Sequence, residues 1–181
     1  MAYRITSQFE RIEKQKQTFL HFLSSWTPQQ LRFKPSATSW SALEVIDHVL
    51  KTESGIFAEM QSNLPLSRTT TFQNRFRGFL LNTLMSSPVR LKVPVTLSVV
   101  LPGTARDLSE LAAAWSHVRT RQKEWIANLG PSHARIALFY HPVSGWMMPS
   151  QTFGFLSAHL HHHGYQLARI RHDPAWARCA A

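Results

Sequence analysis

The chain has 181 residues, 44% of them hydrophobic, which is enough to build one globular domain with a sizeable core. We therefore expect a single domain over residues 1–181. No run reaches the roughly 18 apolar residues that a membrane span needs, and the first residues lack the apolar centre of a signal peptide. A cytoplasmic location without a membrane partner is the resulting expectation. The one cysteine, Cys179, excludes an intramolecular disulfide and a cysteine-rich metal site.

The formal charge of the chain is +10, from 20 Lys and Arg against 10 Asp and Glu. Such a charge is typical of proteins that bind nucleic acid, because basic side chains neutralise phosphates. The basic residues are scattered from Arg4 to Arg178, however, without a dense run or a reading motif. We therefore interpret them as a solvated surface, which would also attract an anionic small substrate.

Two amphipathic segments open the chain, and each has the spacing of a helix. In residues 5–26 the apolar side chains recur every three or four positions, and only Lys16 breaks the pattern. A second helix is predicted over residues 41–61. Ser41 and Glu44 have the spacing of a capping box at its start.

A long connection, residues 63–103, follows the second helix. It contains a predicted short helix over residues 72–85 and a proline-punctuated extended run over residues 89–101. Consecutive antiparallel helices need only a short loop, so a connection of this length favours parallel neighbours.

The second half of the chain contains the other two long helices. The third is predicted over residues 105–129, with Thr104 as its N-cap. Turn signals predict a loop over residues 131–148. The fourth helix begins near Pro149, a residue tolerated in a first helical turn, and Asp173 with the following proline ends it. Four amphipathic helices predict an all-α fold, a four-helix bundle.

Three histidines are candidate metal ligands. His159 and His163 lie four residues apart in the fourth helix, so both imidazoles can leave the same helical face. A third ligand must come from another element, and His48 on the second helix is the best candidate. At about 100° per residue, His163 falls inside the apolar stripe, His159 and His48 lie at stripe edges, and His161 and His162 point progressively toward solvent. A histidine at such an edge is also commonly a half-exposed, hydrogen-bonded residue, so spacing leaves both interpretations open.

Three neighbouring positions have both a functional and a structural interpretation. Glu44 could orient the ring of His48, although its role in the capping box explains it equally well, and we favour the cap. His162 could replace His163 as a ligand. His141, in the predicted loop, could face the mouth of the site, although a loop histidine is more commonly solvated.

Two blocks of the sequence resemble the DinB-like superfamily of four-helix-bundle metalloproteins, which also takes in the bacillithiol transferases. The first block, residues 40–48, matches a Trp-Ser helix start followed by a histidine. The second begins at residues 139–145 with a His-Pro and a glycine, and continues through the His-x-x-x-His helix. His159, His163 and Gln166 occupy the matching positions of that helix.

The resemblance implies an up-up-down-down bundle in which His48, His159 and His163 hold one divalent metal ion. Imidazole ligands suit zinc, nickel and iron alike. Three neutral imidazoles leave an open position for water or a thiolate, and the family's activities lean toward transfer of low-molecular-weight thiols. We therefore expect a metal-dependent thiol transferase or hydrolase with a small-molecule substrate. Arg75, Arg77 and Arg90, in the long connection, could hold an anionic thiol cosubstrate. Because similar bundles are often dimers, the resemblance also makes a homodimer a candidate form of association.

A non-catalytic protein is the alternative. In that interpretation the histidines are structural and the basic surface binds nucleic acid or another polyanion, which salt-sensitive DNA binding by a histidine-free variant would reveal. Nucleic acid is not the partner we expect, because no reading motif accompanies the charge. The chain has no Ser-His-Asp order, phosphate-binding glycine loop or paired catalytic carboxylates, so we assign no catalytic side chain beyond the metal ligands.

Overall fold

The computed structural model describes residues 2–66, 68–89, 100–103 and 106–179. Helices dominate these residues, and none of the described helices is long and apolar enough to cross a membrane. A 3-10 turn, His133–Arg135, lies just before the strands. Along the chain the elements are α1 (Ala2–Ser24), α2 (Pro28–Arg32), α3 (Ala42–Ser62), α4 (Phe72–Met85), α5 (Leu108–Ala127), β1 (Phe139–His141), β2 (Gly145–Met147), α6 (Pro149–Arg171) and α7 (Pro174–Arg178).

The long helices α1, α3, α5 and α6 pack as a four-helix bundle, which confirms the predicted fold class. Contacts between α1 and α6 show their relative direction. The rings of Phe9 and Phe153 pack edge to face with centroids 6.2 Å apart, and the Gln15 side-chain amide donates to the Ser157 carbonyl oxygen at 3.1 Å. Since the contacting positions advance together along both helices, α1 and α6 are parallel.

Helices α3 and α5 are also parallel. The indole N–H of Trp115 donates to the Glu53 carboxylate at 2.8 Å, and further along both helices the rings of Phe57 and Trp125 lie 5.9 Å apart. This confirms the parallel neighbours expected from the long connection between the two helices.

The order of helix directions differs from the one that the resemblance implied. Glu13 of α1 lies 3.9 Å from Arg119, and the later Phe19 packs on the earlier Trp115, so α1 and α5 are antiparallel. Together these contacts give an up-down-down-up order. The up-up-down-down order is corrected because it requires antiparallel α3 and α5, whereas the connection after α3 returns the chain to the opposite end of the bundle before α5 begins.

Most predicted helices appear within a few residues of their expected bounds. α3 begins after Ser41, which forms the predicted capping box, and α4 has the predicted bounds. α5 begins later than predicted, with Asp107 as N-cap, and the predicted cap Thr104 lies outside the described residues. The extended run predicted over residues 89–101 falls largely outside them too. The short helices α2 and α7 were not predicted, because five residues are too few to show a periodicity.

The region predicted as a loop over residues 131–148 contains a β-hairpin, which corrects that prediction. β1 and β2 are antiparallel, with Phe139 opposite Met147. Strands of three residues are too short to show alternation in the sequence. Gly145 has φ = +74°, and a Cβ built there would lie 2.8 Å from the Asn74 side-chain oxygen, so only glycine fits the turn. The hairpin packs against α3, α4 and α6.

An ion-pair network lies inside the bundle, with Glu13 half-buried and its other members buried. Glu53 is fully buried and pairs with Arg119 at 2.7 Å, while Lys16, which interrupts the apolar stripe of α1, pairs with Glu13 at 2.8 Å. Burying these charges is tolerated because each has a partner of opposite sign.

Candidate metal centre

Three histidine side chains converge between α3 and α6. The Nε2 atom of His159 lies 3.2 Å from Nε2 of His48 and 3.1 Å from Nε2 of His163. One ring nitrogen of each residue lies within 4.8 Å of the others, and all three residues are buried. The structure therefore brings together the three histidines singled out in the sequence.

Backbone geometry explains this convergence. His159 and His163 are one turn apart on α6, so their side chains stand one above the other on the face toward α3. His48 reaches them from α3, which the capping box at Ser41 starts at a defined residue. Pro149 occupies the first turn of α6, where its missing N–H costs nothing.

The outer nitrogens of two rings are held by acceptors. Nδ1 of His48 lies 2.6 Å from the Val100 carbonyl oxygen, and Nδ1 of His163 lies 2.8 Å from the side-chain oxygen of Gln166. Both oxygens only accept hydrogen bonds, so each Nδ1 carries the proton. The Nε2 atoms of His48 and His163 consequently present lone pairs to the centre of the cluster.

The donor set fits a divalent cation. Two lone pairs face Nε2 of His159, which can donate at most one proton, so a purely hydrogen-bonded cluster leaves one acceptor unsatisfied. Nitrogen ligands of a tetrahedral zinc ion, each 2.0–2.1 Å from it, lie about 3.3 Å apart. The two observed separations, 3.2 and 3.1 Å, are close to that value. Since all three ligand nitrogens lie within 4.8 Å of one another, the three residues can converge on one ion.

Burial keeps these imidazoles neutral. Desolvation lowers the pKa of His48, lowers the pKa of His163 to about 3, and lowers the pKa of His159 well below its usual value. Neighbouring histidines lower the pKa values further, because two positive rings would repel each other. The lone pairs are therefore available near pH 7, as metal binding requires.

Aromatic rings surround the cluster. The ring of Trp40 lies 4.8 Å from that of His48 and stacks on His163 at 6.4 Å between centroids. Phe155, one turn before His159 on α6, stacks on its ring at 5.7 Å. Such walls limit water around the site and strengthen electrostatic interactions within it.

Two neighbouring residues have structural roles. Glu44 accepts from the Ser41 backbone N–H at 2.8 Å and pairs with Lys34 at 2.6 Å, so the capping interpretation is confirmed. His161 is exposed as predicted, but His162, also expected to point toward solvent, is buried. The reason is that α6 packs against three helices, α1, α3 and α4. A larger part of its surface is therefore covered than in a helix that contacts only two neighbours.

His141 is more buried than a solvated loop residue. Its ring lies 4.7 Å from that of Phe155, and its Nδ1 accepts from the backbone N–H groups of Val143 at 3.1 Å and Ser144 at 3.4 Å. Burial lowers the pKa of His141 to about 4. The only sequence signal for this position was the His-Pro turn.

Further residues near the site could not be predicted from the sequence or had another predicted role. The role of the Val100 carbonyl oxygen at His48 could not be predicted, because every residue carries a backbone carbonyl. Arg75 and Arg77, two of the three residues considered as holders of an anionic cosubstrate, are exposed on α4, and Arg90 lies outside the described residues.

With three buried histidines on facing helices, this protein is of the class of four-helix bundles that are able to hold a metal ion. The sequence model of the DinB superfamily matches residues 11–167, and the chain belongs to this superfamily.

A similar solved structure is YfiT from Bacillus subtilis, described as "a probable metal-dependent hydrolase with an unusual four-helix bundle topology". The two structures have a TM-score of 0.62 and 15% sequence identity, over 96% of this chain and 86% of YfiT. At this identity the likeness shows the fold alone. None of the curated proteins matches the sequence at a significant level.

Proposed function

We propose that this protein is a metal-dependent enzyme in which His48, His159 and His163 hold one divalent ion, and that it transfers a low-molecular-weight thiol to an electrophilic substrate. The convergence of three neutral imidazoles, with Nε2 atoms 3.1 and 3.2 Å apart, is the observation that carries the proposal. Zinc, nickel and iron all suit such ligands.

The chain's own residues prepare this site. Val100 and Gln166 fix the two ring tautomers, and Trp40 and Phe155 limit the water around the ligands. A divalent ion held there would act as a Lewis acid and lower the pKa of a thiol or water in its open coordination position.

The surroundings of the histidines favour a thiol over water as the nucleophile. Among the described residues, the hydrogen bonds of the three rings go to one another, to Val100 and to Gln166, and no carboxylate is among these partners. The residues outside the described ranges include no Asp or Glu in the sequence. His141, with its pKa of about 4, is too weak a base to work well near pH 7.

A site whose ligand rings bond to no carboxylate among the described residues is better suited to activating a thiol than water. A free thiol has a pKa of about 8.5, whereas water has a pKa of about 15.7, so the thiol needs a much smaller shift to ionise at neutral pH. In the reaction the sulfur forms a bond to the electrophilic carbon, the leaving group departs with its electron pair, and the thiol proton passes to solvent. A reducing cytoplasm, the expected compartment, would keep such a thiol reduced.

Hydrolysis is the second candidate function. The description of YfiT as a metal-dependent hydrolase favours it, and the same three histidines would serve.

Metal content is the first test. Inductively coupled plasma mass spectrometry on untagged protein should find about one equivalent of a divalent metal, lost in His48→Ala, His159→Ala and His163→Ala. His161→Ala is the matched control, because this exposed histidine lies on the same helix. If folded wild-type protein stays empty after incubation with zinc, nickel and iron, the proposal is wrong.

Activity separates the two reactions. The metal-loaded protein is incubated with a thiol and an activated aromatic halide, and separately with a nitrophenyl ester without thiol. Thioether formation that depends on the three histidines supports transfer. Ester cleavage without thiol, again dependent on the histidines, would identify a hydrolase instead.

A further inference from the structure

Helix α4 turns an apolar face away from the bundle. Its opposite side is covered, since Gly78 and Met85 are buried and the helix packs on α6 and β2. Large side chains on the outer side are exposed to solvent instead. They are Phe72 (83%), Phe76 (53%), Phe79 (66%), Leu80 (50%) and Leu84 (43%).

These five side chains form one continuous strip, called here the α4 strip. At about 100° per residue they cover a sector of roughly 140° along the whole helix. Arg75 and Arg77, both exposed, lie just beyond its two edges. Gln73 and Thr83 are the polar residues within it. The helix surface therefore combines a central apolar band with a positive charge on either side.

Charge is segregated along the sequence, in the segment that contains this strip. Residues 60–106 contain no Asp or Glu but six basic residues, whereas the rest of the chain has 14 basic and 10 acidic residues. Six of the ten net positive charges thus come from the segment that contains α4. These six residues are Arg68, Arg75, Arg77, Arg90, Lys92 and Arg106.

We propose that the α4 strip docks this protein on an anionic lipid surface. A helix lying in the membrane interface needs an apolar face that enters the acyl boundary and basic side chains that reach the headgroups. Arg75 and Arg77 can reach outward from the edges of the strip, because their long stems are themselves apolar. The expectation of no membrane partner rested on the lack of a spanning segment, and an interfacial helix does not span.

Charge argues against two other occupants. In a symmetric dimer the same patch faces itself, which would bring Arg75 and Arg77 of both copies together without an acidic residue from α4 to pair with them. Proteins that bind single-stranded nucleic acid stack bases on aromatic rings within a basic groove. The strip has its charges at the edges instead, and Leu80 and Leu84 offer bases no stacking surface.

Vesicle co-sedimentation tests the proposal. Wild-type protein should bind vesicles of phosphatidylcholine with phosphatidylglycerol, and bind phosphatidylcholine alone at least about tenfold more weakly. Phe76→Ser with Phe79→Ser should weaken binding at least about tenfold. Arg75→Gln with Arg77→Gln should weaken it by roughly 25-fold, at about fivefold for each charge.

Matched controls carry the same changes elsewhere. Tyr140→Ser with Val143→Ser removes exposed apolar side chains from the hairpin, and Arg4→Gln with Arg11→Gln removes two exposed charges from α1. Binding by both controls should stay within about twofold of wild type. Equal binding by all variants, or binding to neither kind of vesicle, would overturn the proposal.

Three further outcomes would also overturn it. If the Phe76 and Phe79 changes abolish a dimer in ultracentrifugation while vesicle binding is absent, the strip is an interface between copies. If the Phe76 and Phe79 changes lower the unfolding temperature much more than the hairpin control does, the strip packs against another part of the same chain. If single-stranded DNA binds the strip and vesicles do not, the ligand is a nucleic acid.

Discussion

Acidification should destabilise the metal-free protein through His141, and the size of the effect can be calculated. In the folded state burial lowers the pKa of this ring from 6.5 to about 4, and its Nδ1 lone pair accepts two backbone N–H groups. In the unfolded chain the same ring takes up a proton near pH 6.5. Between these two pKa values the unfolded state binds more protons, so stability falls as the pH falls.

The magnitude follows from the two pKa values. Between pH 7.5 and pH 5.0, one histidine with these values costs about 2 kcal/mol of folding free energy. The folded-state pKa hardly affects this figure, because at pH 5.0 the folded ring is mostly neutral at any pKa of about 4 or below. Most of the loss comes from protonation of the unfolded chain.

Urea unfolding of chelator-treated protein at the two pH values measures the effect. His141→Gln removes the titrating group, so the difference between the two pH values should shrink by about 2 kcal/mol relative to wild type. The control His117→Gln, an exposed residue of α5, should leave the difference as it is. If His141→Gln changes this difference by less than about 0.5 kcal/mol, the reasoning from burial is refuted.

Three further predictions concern the site and the core. Gln166→Leu removes the acceptor on His163 and should weaken zinc binding about 10-fold to 100-fold in competition with a chromophoric chelator; unchanged affinity would show that the contact is incidental. Arg119→Met leaves the Glu53 carboxylate buried without its charged partner, so the free energy of unfolding in urea should fall by about 3–5 kcal/mol. A fall of less than about 1 kcal/mol would contradict this. Zinc at about 100 times its dissociation constant should stabilise the fold by about 2.7 kcal/mol, and a similar gain in His48→Ala would place the ion elsewhere.

Much of the fold was accessible from the sequence because it depends on local spacing. The apolar periodicity of the four long helices, the capping box at Ser41 and the short helix α4 are all set by residues within a few positions of one another. His159 and His163 belong to the same category, since four residues on a helix always bring two side chains onto one face. His48 could be named only as the best candidate for the third ligand, later supported by the resemblance, because spacing within one helix does not show which other helix lies beside it.

Tertiary structure decided the features that depend on distant parts of the chain. The up-down-down-up order, the burial of His162 beneath neighbouring helices and the Val100 carbonyl at His48 all arise from segments far apart in sequence. The exposure of the α4 strip is a further case, because its phenylalanines are indistinguishable in sequence from core residues. Hydrophobic residues specify that a face should be buried, but which faces find a partner depends on how the long helices pack.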